Sequence, residues 1–189
     1  MLTHFANTVN IIKVKKERCD CDFMNIIREI VVSISDLKVS TKPNKLITYA
    51  LGSCIGIAIY DIKNHIGGLS HVLLPSSRIF GEIDNEYKFA DLAIPILRKK
   101  IIELGGEQEF LRAKIAGGAN MFYKAQKISF YDIGRSNSTI AKKKLKELNI
   151  PLVAEDIGGI QSRTMSLDLS TLEVEIKKYQ NQLSEVTIL

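Results

Sequence analysis

A cysteine and a histidine occur in two neighbouring apolar segments of this sequence, and both side chains are reactive. Cys54 lies in YALGSCIGIAIYD (residues 49–61), and His71 lies in GGLSHVLLP (residues 67–75). A buried polar group is costly unless it has a hydrogen-bonding partner, so we expect the two side chains to face each other. A thiol beside an imidazole is the arrangement of a cysteine nucleophile and its base.

The spacing of the two segments predicts how they pair. Ile55–Tyr60 and Leu69–Leu74 are typical of an antiparallel hairpin, whose centre then falls between residues 62 and 63. This register places Cys54 directly opposite His71, with Cβ atoms roughly 4.5–5.5 Å apart. At that separation we expect the histidine to lower the pKa of the thiol and favour the thiolate, which is the attacking species.

The segment before the cysteine supplies a third polar group. Leu46–Leu51 is another apolar β-strand candidate, and a glycine-serine turn connects it to the cysteine. We expect Thr48 to lie on the strand beside Cys54, where its hydroxyl can accept a hydrogen bond from the histidine and orient the base. The N–H groups around Gly52, Ser53 and Cys54 can form an oxyanion hole.

Two other interpretations of these residues stay open on spacing alone. A free cysteine and a single histidine on strands are often ordinary core residues with no chemical role. A metal site is a poorer fit, because zinc takes three or four protein ligands and only two candidates converge here. Cys19 and Cys21 form a C-x-C pair with no second pair of ligands, which indicates two free thiols. We therefore predict no metal and no organic cofactor.

The elements that must position these residues follow an α+β pattern. After the first strands, a helix is predicted over Tyr87–Leu104, with Pro95 expected to kink it or shift its start. A second helix is predicted from a cap at Asn137 to Leu148. Four further strands are predicted at LRAKIAGGA, PLVAEDI, RTMSLDL and LEVEIKK, the last two as a hairpin with one wet face. This order is typical of an α+β domain rather than a doubly wound sheet.

Length and composition are those of one globular domain in a reducing compartment. The chain has 189 residues, of which 46% are hydrophobic and 25% charged. No apolar run approaches the ~18 residues of a membrane span, so we expect no direct membrane insertion. Three cysteines are too few for a disulfide framework, which indicates a cytoplasmic protein.

The formal charge of +5 allows nucleic acid, an anionic membrane surface or an acidic protein as partner. No nucleic-acid-binding motif is present, and the 7% aromatic content includes no Trp for base stacking. We therefore predict no nucleic-acid partner. A solvated basic surface explains the charge most simply, and an acidic protein partner comes next.

As a set, the motifs resemble those of a known family. TYALGSCIGIAIYD, GGLSHVLLP, KFADLAIPILRKKIIELGG, LRAKIAGGANMF, IGRSN and VAEDIGG occur in the order and spacing of the chemoreceptor glutamine deamidases, the CheD family. The resemblance extends from about Ile30 to Tyr179. We therefore expect a loosely ordered extension at residues 1–28, a deamidase domain at 29–180 and a C-terminal tail at 181–189.

The resemblance implies a fold, an activity and site residues. The implied fold has two mixed β-sheets packed together and flanked by helices, as in cysteine hydrolases. The implied activity is that of a protein-glutamine glutaminase, which hydrolyses selected glutamines on the cytoplasmic helices of methyl-accepting chemotaxis receptors. The family's catalytic cysteine, histidine and threonine correspond to Cys54, His71 and Thr48. The resemblance also implies a regulatory partner, the chemotaxis phosphatase CheC.

Two alternatives to this function remain. A protease or amidase on a related fold would share Cys54 and His71 but not the AGGAN and AEDIGG segments. A non-catalytic chemotaxis adaptor or binding module would tolerate replacement of Cys54. The roles of Gly117, Gly118, Asn120 and Asp156 are open at this stage, and all four belong to glycine-containing turns near predicted strand ends. We expect them to be structural, shaping a substrate groove.

Overall fold

Two five-stranded mixed β-sheets form the body of the protein in a computed structural model that describes residues 27–80, 83–120, 132–180 and 183–189. Within these ranges the strands are β1 (Glu29–Val31), β2 (Asp36–Thr41), β3 (Lys45–Leu51), β4 (Ile55–Asp61), β5 (Ile66–Val72), β6 (Leu111–Gly117), β7 (Leu152–Ile157), β8 (Arg163–Asp168), β9 (Val174–Gln180) and β10 (Leu183–Ile188). The α-helices are α1 (Ser77–Phe80), α2 (Ala90–Glu103) and α3 (Ile133–Glu147).

The two sheets and the helices form three layers. Sheet A has the strand order β1-β3-β8-β9-β10, and sheet B has the order β2-β5-β4-β6-β7. One core cluster joins sheet B to the buried faces of α2 and α3, and a second cluster fills the space between the sheets. The prediction of an α+β fold with two mixed sheets flanked by helices is confirmed.

The central strand β4 is buried along its whole length because its two faces meet different layers. Ile55, Ile57 and Ile59 belong to the cluster with the helices. Cys54, which immediately precedes the strand, and Ala58 belong to the cluster between the sheets. Alternation along a strand therefore turns the cysteine toward sheet A.

The predicted helices are present, but each begins at a different residue. α2 begins at Ala90 rather than Tyr87, because residues 86–88 form a short 3₁₀-helix, and it contains Pro95. α3 begins one turn before the predicted cap, and the carboxylate of Asp132 accepts the N–H of Arg135 at 3.0 Å. The prediction that Asn137 caps this helix is wrong. Its side chain is fully buried and bonds to two distant carbonyl groups instead.

Two strands were not predicted from the sequence, and both lie at sheet edges. β2 pairs antiparallel with β5 at the edge of sheet B. β10 pairs antiparallel with β9 at the edge of sheet A, so the predicted C-terminal tail contributes a strand. The predicted β8–β9 hairpin is present, although Thr164 and Ser166 on its expected wet face are buried. Residues 1–26 of the predicted N-terminal extension lie outside the described residues.

Adjacent glycines on β5 allow both neighbouring layers to approach the strand closely. A Cβ atom on Gly68 would lie 2.5 Å from Cδ1 of Leu97 in α2 and 2.8 Å from Cγ1 of Val39. A Cβ atom on Gly67 would lie 2.8 Å from Cδ2 of Leu169, on the opposite face. Real Cβ atoms do not approach neighbours this closely, so a methyl group at either position must displace them.

We predict that Gly68→Ala lowers the free energy of unfolding by about 1–3 kcal/mol because of overpacking. Leu97→Ala should cost about 2–5 kcal/mol, and the double variant should lose less than the sum because the new methyl group fills part of the cavity. Urea denaturation of the four proteins measures this coupling. The control combines Gly67→Ala with Leu97→Ala, and its two losses of unfolding free energy should add. Equal coupling energies in the two double variants would contradict the assignment of Gly67 and Gly68 to opposite faces of β5.

Candidate active site

The turn that carries the cysteine connects the two sheets. β3 pairs with β1 and β8 in sheet A, whereas β4 pairs with β5 and β6 in sheet B. The prediction that Thr48 lies on a strand next to Cys54 is therefore wrong. The β3–β8 register shifts between Thr48 and Leu51, where Ala50 has a φ of 57°, but Leu51 still pairs with Arg163, so the chain leaves sheet A only at the Gly52–Ser53 turn.

The predicted pairing of Cys54 with His71 is also wrong, by two residues. His71 pairs with Gly56, because residues 62–65 form the hairpin turn. The Asp61 carboxylate builds this turn by accepting the N–H groups of Lys63 and Asn64 at 2.7 and 2.8 Å. A shift of two residues keeps side chains on the same face, so Cys54 and His71 are diagonal neighbours facing sheet A.

The histidine is held by a hydrogen bond from one sheet to the other. Thr48 Oγ1 lies 2.7 Å from His71 Nδ1 and donates its own hydrogen to the carbonyl of Val32 at 2.8 Å. Because a hydroxyl has one hydrogen, Thr48 must accept the Nδ1–H of the ring. The neutral imidazole then carries its lone pair on Nε2, which is buried and has no hydrogen-bonding partner among the described residues.

Burial keeps both reactive groups neutral in the free protein. Cys54 exposes 8% of its surface and His71 exposes 0%. Burial raises the pKa of the thiol, and a hydrogen bond from the Cys54 N–H to its own sulfur opposes this effect. Burial also lowers the pKa of His71 to about 4. The expectation that the histidine lowers the thiol pKa is therefore wrong for the free protein, since burial keeps the imidazole neutral and is the largest effect on the thiol.

Backbone and side-chain donors fix the carbonyl groups of the turn. Ala119 N–H donates to the Gly52 carbonyl at 2.8 Å, and Gly118 N–H donates to the Cys54 carbonyl at 2.7 Å. Gly117 has a φ of 118°, and a Cβ atom there would collide with the Cys54 carbonyl oxygen. Glycine is needed at this position because the backbone must pass directly over the turn.

An ion pair with a buried arginine supports the glycine segment from the other side. Arg163, which exposes 4% of its surface, lies 3.1 Å from the Asp156 carboxylate and donates to the carbonyls of Gly158 and Gly117 at 2.6 and 3.3 Å. Lys178 contacts the other Asp156 oxygen at 2.7 Å. Arg163 was not predicted from the sequence; the only indication was a basic residue at the start of an apolar strand.

The structure therefore brings Thr48 and His71 into contact and places Cys54 on the same sheet face as the histidine. Gly52 and Ser53 form the turn that leads to the cysteine, as predicted. Within the described ranges, no group of three or more His, Cys, Asp or Glu side chains is arranged to hold a metal ion. No α-helix in these ranges is long and apolar enough to cross a bilayer.

Comparisons with known proteins identify the family. Residues 73–178 match the family model described as CheD, chemotactic sensory transduction, a range that begins two residues after His71. Two relatives from Clostridium botulinum, strains Hall and Langeland, are each 56% identical over 151 residues and align with 80% of this chain and 93% of their own length. A relative from Clostridium acetobutylicum is 52% identical over 159 residues, covering 80% of this chain and 96% of its own. All three are named probable chemoreceptor glutamine deamidase CheD. The chain belongs to the CheD family, as the motifs predicted.

Because burial raises the pKa of Cys54, we predict that its rate of alkylation by iodoacetamide still rises with pH where the rate of the unfolded protein has already reached its plateau. The measurement uses a Cys19→Ser/Cys21→Ser protein, in which Cys54 is the only thiol. The urea-unfolded protein is the control and should titrate near pH 8.5. A rate that reaches its plateau below pH 7 would instead indicate a preformed thiolate–imidazolium pair.

Proposed function

We propose that this chain is a cytoplasmic enzyme that hydrolyses selected glutamine side chains to glutamate on the cytoplasmic helices of methyl-accepting chemotaxis receptors. The names of its relatives and the arrangement of the buried Cys54, His71 and Thr48 support this activity. The observation that carries the proposal is the Thr48–His71 hydrogen bond, which leaves Nε2 of the ring free to act as a base.

The reaction begins with a neutral Cys54 thiol and a neutral His71 imidazole. His71 Nε2 accepts the thiol proton as the sulfur of Cys54 attacks the amide carbon of the glutamine side chain. The imidazolium then gives this proton to the departing nitrogen, ammonia leaves, and a thioester joins Cys54 to the substrate. In the second half, Nε2 accepts a proton from water, and the resulting hydroxide displaces the thiolate. The imidazolium returns this proton to the thiolate, so the products are the glutamate side chain and the regenerated Cys54 thiol beside a neutral imidazole.

Thr48 keeps the base in the required tautomer throughout these steps. Its hydroxyl accepts the Nδ1–H while its own hydrogen stays on the Val32 carbonyl. The same contact stabilises the imidazolium, which also carries a hydrogen on Nδ1. The carbonyl groups of the turn are held by other donors, which fixes the peptide units that carry the Ser53 and Cys54 N–H groups. In this proposal, these two N–H groups stabilise the oxyanion.

Access to the site favours a side-chain amide over a main-chain amide. The cysteine is only 8% exposed, and the histidine is fully buried. A flexible glutamine side chain with a terminal carboxamide can enter such a narrow opening, whereas a peptide bond has chain on both sides. This argues against a protease. A non-catalytic adaptor would not need a tautomer-fixed histidine beside a buried thiol.

The charge of the protein fits acidic protein partners. The formal charge is +5, and a receptor helix that gains glutamates becomes more acidic. Some of the basic charge on α3 is already paired, since Lys142 contacts Glu155 at 2.6 Å and Lys144 contacts Glu147 at 2.6 Å. We also propose a CheC-type phosphatase as a regulatory partner, on the basis of the family resemblance alone.

Incubation with a purified receptor cytoplasmic fragment tests the activity directly. Each conversion of glutamine to glutamate adds about one mass unit, so intact-mass analysis counts the events and peptide mapping locates them. We predict that Cys54→Ala and His71→Ala each abolish deamidation. Circular dichroism should show that both variants remain folded. Full activity of the Cys54→Ala protein would exclude the proposed chemistry.

Replacement of Thr48 tests the orientation of the base. Thr48→Val keeps the shape but removes the acceptor for Nδ1–H, so we predict that kcat for deamidation falls about tenfold to a hundredfold. Thr48→Ser retains the hydroxyl and should keep most of the activity. Receptor deamidation by the three proteins is compared at pH 7. Equal rates for the wild-type and valine proteins would remove Thr48 from the mechanism.

A further inference from the structure

Asn137 lies at the point where the β4–β5 ladder ends. The last pair of the ladder is Ile55 with Val72. Beyond it, Leu73 N–H turns away and donates to the Lys88 carbonyl at 3.1 Å. The carbonyl groups of Ser53 and Leu73 are therefore left without partners from the opposite strand.

The Asn137 side chain satisfies both of these carbonyl groups. Its Nδ2 atom donates to the Ser53 oxygen at 2.8 Å and to the Leu73 oxygen at 3.0 Å. The side chain is fully buried and comes from the second turn of α3. One amide group thus connects the residue before Cys54 to the strand that carries His71.

The bond to Ser53 has a consequence for the next N–H group. The Ser53 carbonyl and the Cys54 N–H belong to the same planar peptide unit and point in opposite directions. Holding the carbonyl on Asn137 therefore fixes the direction of the Cys54 N–H. Because this N–H and the thiol belong to the same residue, its direction relative to the sulfur is fixed as well.

We propose that Asn137 is a positioning residue that fixes the Ser53–Cys54 peptide, so that the Cys54 N–H can stabilise the oxyanion of the tetrahedral intermediate. This inference rests on the proposed deamidase function. The helix itself is held against the same region, because a Cβ atom on Gly134 would lie 2.6 Å from the Gly118 carbonyl oxygen. α3 is thereby docked tightly enough for a short side chain to set the peptide plane.

The test compares Asn137→Ala with Ser138→Ala, both in the Cys19→Ser/Cys21→Ser protein. Ser138 is the matched control because it is buried on the same helix and its hydroxyl donates only to the Gly134 carbonyl, at 3.0 Å. Asn137→Asp keeps the shape of the side chain but replaces its amide donor, and it serves if the alanine variant fails to fold.

We expect kcat for receptor deamidation to fall about tenfold to a hundredfold in the Asn137 variants, less than the 10²–10³ of losing an oxyanion donor outright, with KM within about twofold. Alkylation of Cys54 should also require a higher pH, because the direction of its N–H relative to the sulfur is no longer fixed. Ser138→Ala should change neither quantity.

Equal changes in the Asn137 and Ser138 variants, or a change confined to KM, would overturn the inference. The alkylation measurement needs no substrate, so it decides the role of Asn137 even if the wild-type protein deamidates no receptor. A shift in the alkylation profile without any wild-type deamidation would reject the proposed function and retain the positioning of the peptide. An unchanged alkylation profile would reject the positioning itself.

Discussion

A single hydrogen bond between the sheets organises the chemistry of this protein. Thr48 belongs to sheet A and His71 to sheet B, and their side chains meet at 2.7 Å in the buried space between the sheets. The Val32 carbonyl takes the only hydrogen of the hydroxyl, so the direction of every proton in this chain of contacts is fixed. The packing of two sheets thus decides which nitrogen of the imidazole can act as a base.

The backbone around the cysteine depends on the same junction. The turn at residues 52–54 connects a strand of sheet A to a strand of sheet B, so the regular hydrogen bonds of neither sheet fix its backbone. The N–H groups of Gly118 and Ala119, just after β6, and the amide of Asn137 replace that ladder. The buried Arg163 forms an ion pair with Asp156 and donates to the Gly117 carbonyl, which fixes the glycine segment in turn. A nucleophile whose backbone is held by several donors keeps a fixed position, which suits covalent catalysis.

Sequence patterns predicted the elements better than their arrangement. The apolar segments of β3, β4 and β5 are visible because burial requires them. The hairpin register was wrong by two residues because the Asp61 side chain builds a longer turn than the strands alone indicate. Thr48 was correctly paired with His71 but assigned to the wrong sheet, since no sequence pattern shows that the turn between β3 and β4 crosses from one sheet to the other. The role of Asn137 was hidden for a similar reason, because its partners are more than sixty residues away along the chain.

The tautomer and charge of His71 are the most direct test of this account. ¹⁵N NMR of the histidine-labelled protein, with the three histidines assigned by substitution, reports the protonation of each ring nitrogen as pH changes. We expect a neutral ring with hydrogen on Nδ1 at pH 7, which becomes protonated only near pH 4. A ring that is protonated at pH 7, or that carries its single hydrogen on Nε2, would contradict it.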